Sequence, residues 1–175
     1  MNTSKSVKIR TATLLDTEGI LNVYAYYVSN TAISFEYEVP TLDEFEERIR
    51  KTLKKYPYYV AIIDNKIIGY AYAGAFVGRE AYKYSAELTV YIDKDYKKQG
   101  IGKLLYEKLE EDLKQQGIKN LYACVGVPVD TPDEYLDFNS ADFHKHMGFQ
   151  QVGEFHKCGY KFDRWYSMVW LEKFL

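Results

Sequence analysis

Cysteine and histidine are scarce in this chain of 175 residues: there are two cysteines, Cys124 and Cys158, and three histidines. None of them forms a Cys-x-x-Cys or Cys/His ligand spacing, which argues against a metal site and predicts two buried thiols in apolar and aromatic surroundings. Charge of one sign is missing as well. Against 25 acidic residues stand 23 basic ones, and the net charge of -2 creates no global field for nucleic acid or an anionic membrane. Any anion site must therefore be built locally. No stretch approaches the roughly 20 apolar residues of a membrane span, and residues 1–10 are polar rather than signal-like. A cytoplasmic protein without nucleic-acid or membrane partners is expected. Proline is limited to four residues, and no repeat or Pro/Gly/Ser linker divides the chain. With 47% hydrophobic residues, one domain over residues 1–175 is expected.

What is present is a succession of short elements. Ile20, Val23, Tyr24, Tyr27 and Val28 recur at helical spacing behind Asp16, which predicts a helix with Asp16 as N-cap. Phe45, Ile49 and Leu53 follow Thr41-Leu42-Asp43-Glu44, the pattern of a capping box. Residues 58–63 and 67–77 are β-branched and aromatic runs separated by Asp64-Asn65-Lys66, which predicts a hairpin. A further strand is expected over 87–92.

Lys97-Lys98-Gln99-Gly100-Ile101-Gly102 comes directly after that strand and opens a helix whose apolar stripe is Ile101, Leu104, Leu105, Leu109 and Leu113, closed by Gly117. A glycine-rich turn between strand and helix exposes backbone N–H groups suited to a pyrophosphate. With the strand over 121–127 it predicts a parallel βαβ unit. A polar loop over 128–140, a short helix near 140–147 and closing strands over 151–160 and 165–171 complete a mixed α/β sheet. The turn fits neither established nucleotide motif. A Walker A loop needs Gly-Lys-Ser/Thr, and the dinucleotide fingerprint needs a small residue where this chain has Leu105.

The turn instead resembles motif A of the GCN5-related N-acetyltransferases, Arg/Gln-x-x-Gly-x-Gly/Ala, with Lys97 in place of the usual Arg or Gln. The resemblance runs from about Ile9 to Lys173, and in detail the chain looks like the phosphinothricin acetyltransferase branch. It rests on Ile9-Arg10-Thr11-Ala12-Thr13, on Phe35 and Glu38 before Thr41, and on Glu87-Leu88-Thr89-Val90-Tyr91-Ile92. Phe143-His144-Lys145-His146-Met147-Gly148-Phe149, Gly159-Tyr160-Lys161 and Arg164-Trp165 extend it. Asp137 departs from the pattern: it stands three residues before Ser140, where the branch often has Asn, and Asn139 is out of register.

The resemblance implies a mixed-sheet GNAT fold and acetyl-CoA as cosubstrate without a metal. It implies a cofactor site of Lys97, Lys98, Gln99, Gly100, Ile101, Gly102 and Lys103, with Val90, Tyr91 and Ile92 along the strand and Asn139 and Ser140 in the later loop. Glu87 takes the place of the base that deprotonates the acceptor amine. The strand splays after it, leaving the Val90 N–H to polarise the acetyl carbonyl and Ile92 to pair with the pantetheine amide. His144 takes the place of an acid that protonates the departing thiolate. Phe35, Glu38, Arg79, Tyr82 and Tyr160 fall in acceptor regions, and Arg79 has the chemistry to hold a carboxylate.

Bland readings stand beside these. Glu87 can be an edge carboxylate paired with Lys83 or Lys97, His144 a packing histidine, Arg79 a surface residue, and Lys94, Lys97, Lys98 and Lys103 a solvated rim. His146 and His156 have no partner pattern. Trp165, Tyr166 and Trp170 suggest a homodimer face. Acetylation of a small amino-acid-like amine is the leading function. Acetylation of a protein N-terminus or lysine, and a non-catalytic acyl-CoA sensor, are the alternatives.

Overall fold

The computed structural model describes residues 6–175, and residues 1–5 of the polar N-terminal stretch lie outside it. Seven strands hydrogen-bond in the order β1-β2-β3-β4-β5-β7-β6: β1 (Lys8–Thr11), β2 (Tyr58–Ile63), β3 (Lys66–Ala75), β4 (Ser85–Ile92), β5 (Asn120–Pro128), β6 (Gln150–Lys161) and β7 (Arg164–Phe174). The helices are α1 (Thr17–Asn30), α2 (Leu42–Leu53), α3 (Ile101–Gln115) and α4 (Asn139–His146). This is the expected mixed α/β architecture. Its residues group into two compact units. One comprises residues 6–24, Pro40–Gly74 and Leu88–Gly117; the other comprises Ala25–Val39, Ala75–Glu87 and Ile118–Leu175.

In the first unit β1, β2 and β3 are antiparallel, with Ile9 opposite Ala61 and Tyr59 opposite Ala71. Asp64 and Asn65 both take positive φ, 48° and 63°, the two-residue turn that matches strand twist in a hairpin. The predicted capping box of α2 is formed: the Glu44 N–H donates to Thr41 Oγ1 at 3.3 Å and the Thr41 N–H to Glu44 Oε2 at 2.9 Å. Asp16 does not cap α1. It closes an earlier 3-10 turn, Leu14–Asp16, where its carboxylate accepts the Thr13 N–H at 2.8 Å and both Arg10 guanidinium nitrogens at 2.7 Å. The Arg10 hydrogen bond is the main reason its pKa is lowered.

Helix α3 buries Ile101, Leu105, Tyr106, Leu109 and Leu113, whereas Leu104 is 45% exposed. At about 100° per residue Leu104 falls outside the arc that these positions span, and Tyr106 occupies the arc's other edge. The tyrosines of this unit interlock as rings: Tyr58 and Tyr72 stack at 4.9 Å, Tyr70 and Tyr91 at 5.5 Å, and Tyr24 meets Tyr91 edge-on at 5.1 Å.

In the second unit β5 pairs antiparallel with β7, and β7 with β6. The β4 to β5 ladder is parallel and short, joining Ser85 to Asn120, Ala86 to Leu121 and Glu87 to Tyr122. Both strands run on past it, β4 to Ile92 and β5 to Pro128. Lys161, only 5% exposed, donates through Nζ to the carbonyls of Val28 at 2.7 Å, Thr31 at 2.8 Å and Ser34 at 2.7 Å, closing the C-terminal end of α1. Asp133 organises the loop before α4, accepting the N–H groups of Tyr135 and Leu136 at 2.8 Å each and the Tyr166 hydroxyl at 3.0 Å. Contrary to expectation, both cysteines are exposed. On β5 Leu121, Ala123, Val125 and Val127 are buried in alternation, with Pro128 buried at the strand's end, so Cys124 belongs to the alternate face, which is open.

Candidate active site

The segment after β4 is set for an anion. Asp93 anchors it, accepting the Asp95 N–H at 3.0 Å and the Lys66 ammonium at 2.7 Å. Lys98 and Gly100 then take left-handed φ values of 60° and 79°, two residues apart, and Gly100 becomes the N-cap of α3. Glycine has no side chain to cap with, so no cap hydrogen bond forms, and a Cβ added here would meet nothing within 4 Å. The first intrahelical bond is Leu104 N–H to Gly100 carbonyl at 3.2 Å, which leaves the N–H groups of Ile101, Gly102 and Lys103 pointing out of the helix start. No acidic residue occupies this first turn. An open cradle of N–H groups at the positive end of a helix, with Lys97, Lys98 and Lys103 around it, suits a pyrophosphate. The residues present therefore fit the diphosphate of a coenzyme A. Lys103 lies 3.7 Å from Glu107 and Lys94 2.8 Å from Asp95, while the Gln99 amide reaches the Asp95 carbonyl at 3.5 Å.

Along β4, Tyr91 is held by its ring contacts with Tyr70 and Tyr24. Ile92 lies so near Gly69 that a Cβ there would sit 2.7 Å from its Cδ1. Tyr91 and Ile92 thus have firmly seated positions, and the backbone of Val90, Tyr91 and Ile92 is what the strand has to offer a ligand.

Glu87 lies in the second unit, opposite Tyr122 at the last rung of the parallel ladder. Register continues its face across the sheet: Tyr122, Cys124 and Gly126 on β5 stand opposite Glu172, Trp170 and Met168 on β7. Phe76 covers one end of this face, stacked on Tyr122 at 3.9 Å and edge-on to Trp170 at 5.6 Å, with Tyr82 edge-on to Phe76 at 5.8 Å. Half-buried in these surroundings, Glu87 has its pKa raised by desolvation. It makes no ion pair among the described residues, and Lys83 turns instead to Glu80 at 3.7 Å. The Cys124 thiol is pushed up to about 12 by desolvation, then by the charges of Glu87 and Cys158, and remains a neutral thiol.

His144 is 4% exposed, and its Nδ1 donates to the Ser140 carbonyl at 2.7 Å. Phe143 and Phe149 meet the ring edge-on at 5.3 and 5.5 Å. Burial lowers its pKa to about 4, so the imidazole is neutral at physiological pH, the condition of a packing histidine rather than a charged acid. Asn139 is engaged by Asp137, which accepts its N–H at 3.0 Å and its side-chain amide. The Ser140 carbonyl is likewise committed to His144.

Among the acceptor candidates, Phe35 lies on the Glu87 face. Its ring would meet a Cβ on Gly159 at 2.4 Å and one on Gly126 at 3.4 Å, so both glycines make room for it. Tyr82 borders the same face through Phe76. Arg79, which precedes the turn carrying Tyr82, is exposed and has no ion pair among the described residues. Glu38 is exposed. Tyr160 stays apart: Gly159 takes the face toward Phe35, so alternation turns Tyr160 away, and its ring packs on Trp165 at 4.9 Å. Phe76, Tyr122, Cys124, Met168 and Trp170 went unrecognised from sequence as site residues. The two-residue period of Tyr122, Cys124 and Gly126, set between buried Ala123 and Val125, was the available signal.

No group of three or more His, Cys, Asp or Glu side chains suited to a metal occurs among the described residues, and no helix there is long and apolar enough to cross a membrane. The family model for the acetyltransferase (GNAT) domain matches residues 9–170. A phosphinothricin N-acetyltransferase of Alcaligenes faecalis is 34% identical over 159 residues, 90% of this chain and 77% of its own length. An L-methionine sulfoximine/L-methionine sulfone acetyltransferase of Pseudomonas paraeruginosa is 30% identical over 95% of this chain and 94% of its own. A crystal structure of a phosphinothricin acetyltransferase from Sinorhizobium meliloti in complex with acetyl-CoA superposes with a TM-score of 0.87 at 28% identity, covering 97% of this chain and 88% of that one. These matches place the chain in the GNAT acetyltransferase family, as an N-acetyltransferase.

Proposed function

We propose that this protein is a single cytoplasmic acetyltransferase domain that moves acetyl from acetyl-CoA to the primary amine of a small amino-acid-like acceptor. The observation that carries the reading is Glu87: a half-buried carboxylate with a raised pKa and no ion pair among the described residues, on a face bordered by aromatic rings. An alkylammonium has a pKa of about 10, so the acceptor must lose a proton before it attacks, and Glu87 takes that proton directly or through water. Acetyl-CoA supplies the activated thioester. Three residues along the same strand, the Val90 N–H meets the charge that develops on the acetyl oxygen. The new C–N bond replaces the C–S bond, the second proton of the attacking nitrogen passes to the departing thiolate or to water, and that thiolate, with an ordinary thiol pKa of about 8.5, leaves without assistance from neutral His144.

Lys97, Lys98, Gln99, Gly100, Ile101, Gly102 and Lys103 hold the pyrophosphate, and Ile92 pairs with the pantetheine arm. Arg79, exposed and without an ion pair among the described residues, is the group for the acceptor's carboxylate, with Phe35 and Tyr82 around the acceptor's stem. The names of the curated relatives, which act on phosphinothricin and on methionine sulfoximine or sulfone, support an amino-acid-like acceptor. Exposed apolar side chains on β6 and β7, including Phe155 and Trp165 (55% exposed), support a homodimer through that edge, although Tyr166 is buried in the protomer's own core. Sedimentation across a hundredfold concentration range checks this, and a monomer mass throughout overturns it. Incubation with isotope-labelled acetyl-CoA and parallel panels of amino acids, simple amines and peptides tests the function. Label transferred fastest to amino acids supports it; faster labelling of peptides overturns it.

A further inference from the structure

The face that carries Glu87 continues as a trough. Its floor is Cys124, opposite Trp170, and Gly126, opposite Met168, with Tyr122 beside Glu87 at one end. From Tyr122 to Gly126 the strand advances about 13 Å. Phe76, stacked on Tyr122, walls the Glu87 end, and Phe35, lying over Gly126 and Gly159, closes the other. Cys124 is exposed on the floor, and nothing lies within 4 Å of the Cβ that Gly153, opposite Trp170, would carry.

These positions supply neither a cation nor an amide. Among the paired residues of β5 and β7 between Tyr122 and Gly126, the open face offers a thiol, a thioether, a glycine, aromatic rings and, beside Tyr122 at the Glu87 end, the Glu172 carboxylate, and no Lys, Arg, His, Asn, Gln, Ser or Thr. Its thiol stays protonated, so it adds no charge. A sulfone, sulfoximine or phosphinate laid on this floor would lose water for at most the Tyr122 hydroxyl and the Trp170 indole N–H as neutral donors, would gain no cation or amide, and would bring its oxygens toward the Glu172 carboxylate. A thioether or hydrocarbon chain loses nothing there and gains contact with polarisable sulfur and aromatic surfaces.

We propose that the trough is the subsite for the acceptor's side chain, and that it selects amino acids with a thioether or hydrocarbon side chain over those bearing oxidised sulfur or phosphorus, with Cys124 as the specificity-determining residue. The proposal rests on the acetyltransferase reading above and narrows its substrate class. It sets this chain apart from the relatives whose names specify phosphinothricin and methionine sulfoximine or sulfone.

The test compares kcat/KM of the full chain for methionine, norleucine, methionine sulfone and phosphinothricin, with acetyl-CoA saturating. Methionine and norleucine are expected to lead by roughly 10- to 100-fold, the scale on which an apolar pocket rejects a more polar isostere. Cys124→Asn, which places an amide on the floor, should shift the methionine to sulfone ratio toward the sulfone by about tenfold or more. Cys124→Ser, nearly isosteric, provides the same direction of change if the larger amide disturbs the strand. Acetyl-CoA affinity by calorimetry and the melting temperature report whether each variant is intact. Sulfone or phosphinothricin turned over as well as methionine overturns the subsite, as does a ratio unmoved in folded variants. If none of the amino acids is acetylated while acetyl-CoA binds, the parent reading falls and takes this inference with it.

Discussion

Tyr122 stands directly across the parallel ladder from Glu87, and the Phe76 ring lies on Tyr122 at 3.9 Å. The pair makes a carboxylate with an aromatic neighbour and no counter-ion among the described residues, and desolvation raises its pKa. A raised carboxylate pKa stabilises the neutral form on folding, so this group disfavours the folded state at neutral pH and its burden is relieved as pH falls. Glu87→Gln keeps the shape and removes both the base and the burden. We expect the acetylation rate to fall roughly 10²- to 10⁴-fold while the melting temperature at pH 7 holds or rises. The wild-type rate should decline on the acid side at a pH above the ordinary glutamate range. Full turnover in the variant would sink the assignment.

Gly100 provides a test of the anion cradle that leaves Glu87 untouched. Its φ of 79° is strained for any residue with a Cβ, and the open space beside it is where a pyrophosphate would approach. Gly100→Val should weaken acetyl-CoA binding at least about tenfold by calorimetry and cost about 1–2 kcal/mol of stability. Unchanged affinity in a folded variant would remove the cradle from the site.

His144 makes stability depend on pH. Its folded pKa, lowered from 6.5 to about 4 by burial, means that the unfolded chain binds the proton first as pH falls. Stability is fully present above pH 6.5 and is lost as pH drops toward about 4, by about 3 kcal/mol in all. Urea unfolding between pH 8 and pH 4 should show this slope, and His144→Phe should flatten it. An equal slope in both proteins would count against the buried neutral ring.

Local signals were legible in the chain. The Thr41 to Glu44 capping box, the Asp64-Asn65 turn and the glycine-rich start of α3 are written in residues a few positions apart, and each formed where its pattern fell. Asp16 shows the limit even at short range: its carboxylate serves an earlier turn because Arg10 and Thr13 reach it first. The nonlocal part stayed hidden. Cys124 lies in a run of apolar residues, and only the coverage of each sheet face by other elements decides that Ala123 and Val125 are buried while Cys124 is open. Lys161 gave no signal of burial at all, because its three acceptors come from the end of α1 and the loop beyond.

Lys161 is therefore expected to behave as a structural lysine. Lys161→Met keeps much of the stem and strands the carbonyls of Val28, Thr31 and Ser34 without their donor. Each unsatisfied buried group costs about 1–3 kcal/mol, and partial access of water to them suggests a total of about 2–4 kcal/mol in urea unfolding. A loss below about 0.5 kcal/mol would show that the end of α1 is closed by other means.

Arg79 separates a small-acid acceptor from a peptide. It is exposed, it carries no ion pair among the described residues, and it lies in the loop between Phe76 and Tyr82, whose rings border the Glu87 face. A guanidinium that holds the acceptor's carboxylate in ground and transition states alike acts through binding, so Arg79→Ala should raise KM with little change in kcat. The effect should be selective. For an α-amino acid, loss of one charge-assisted contact predicts a rise of roughly 10- to 100-fold, whereas the corresponding amine without the carboxylate should respond by less than about twofold, having no partner to lose. Steady-state kinetics on such a matched pair decides the matter. Equal changes for acid and amine would leave Arg79 as a surface residue, and the acceptor's carboxylate would then need another partner.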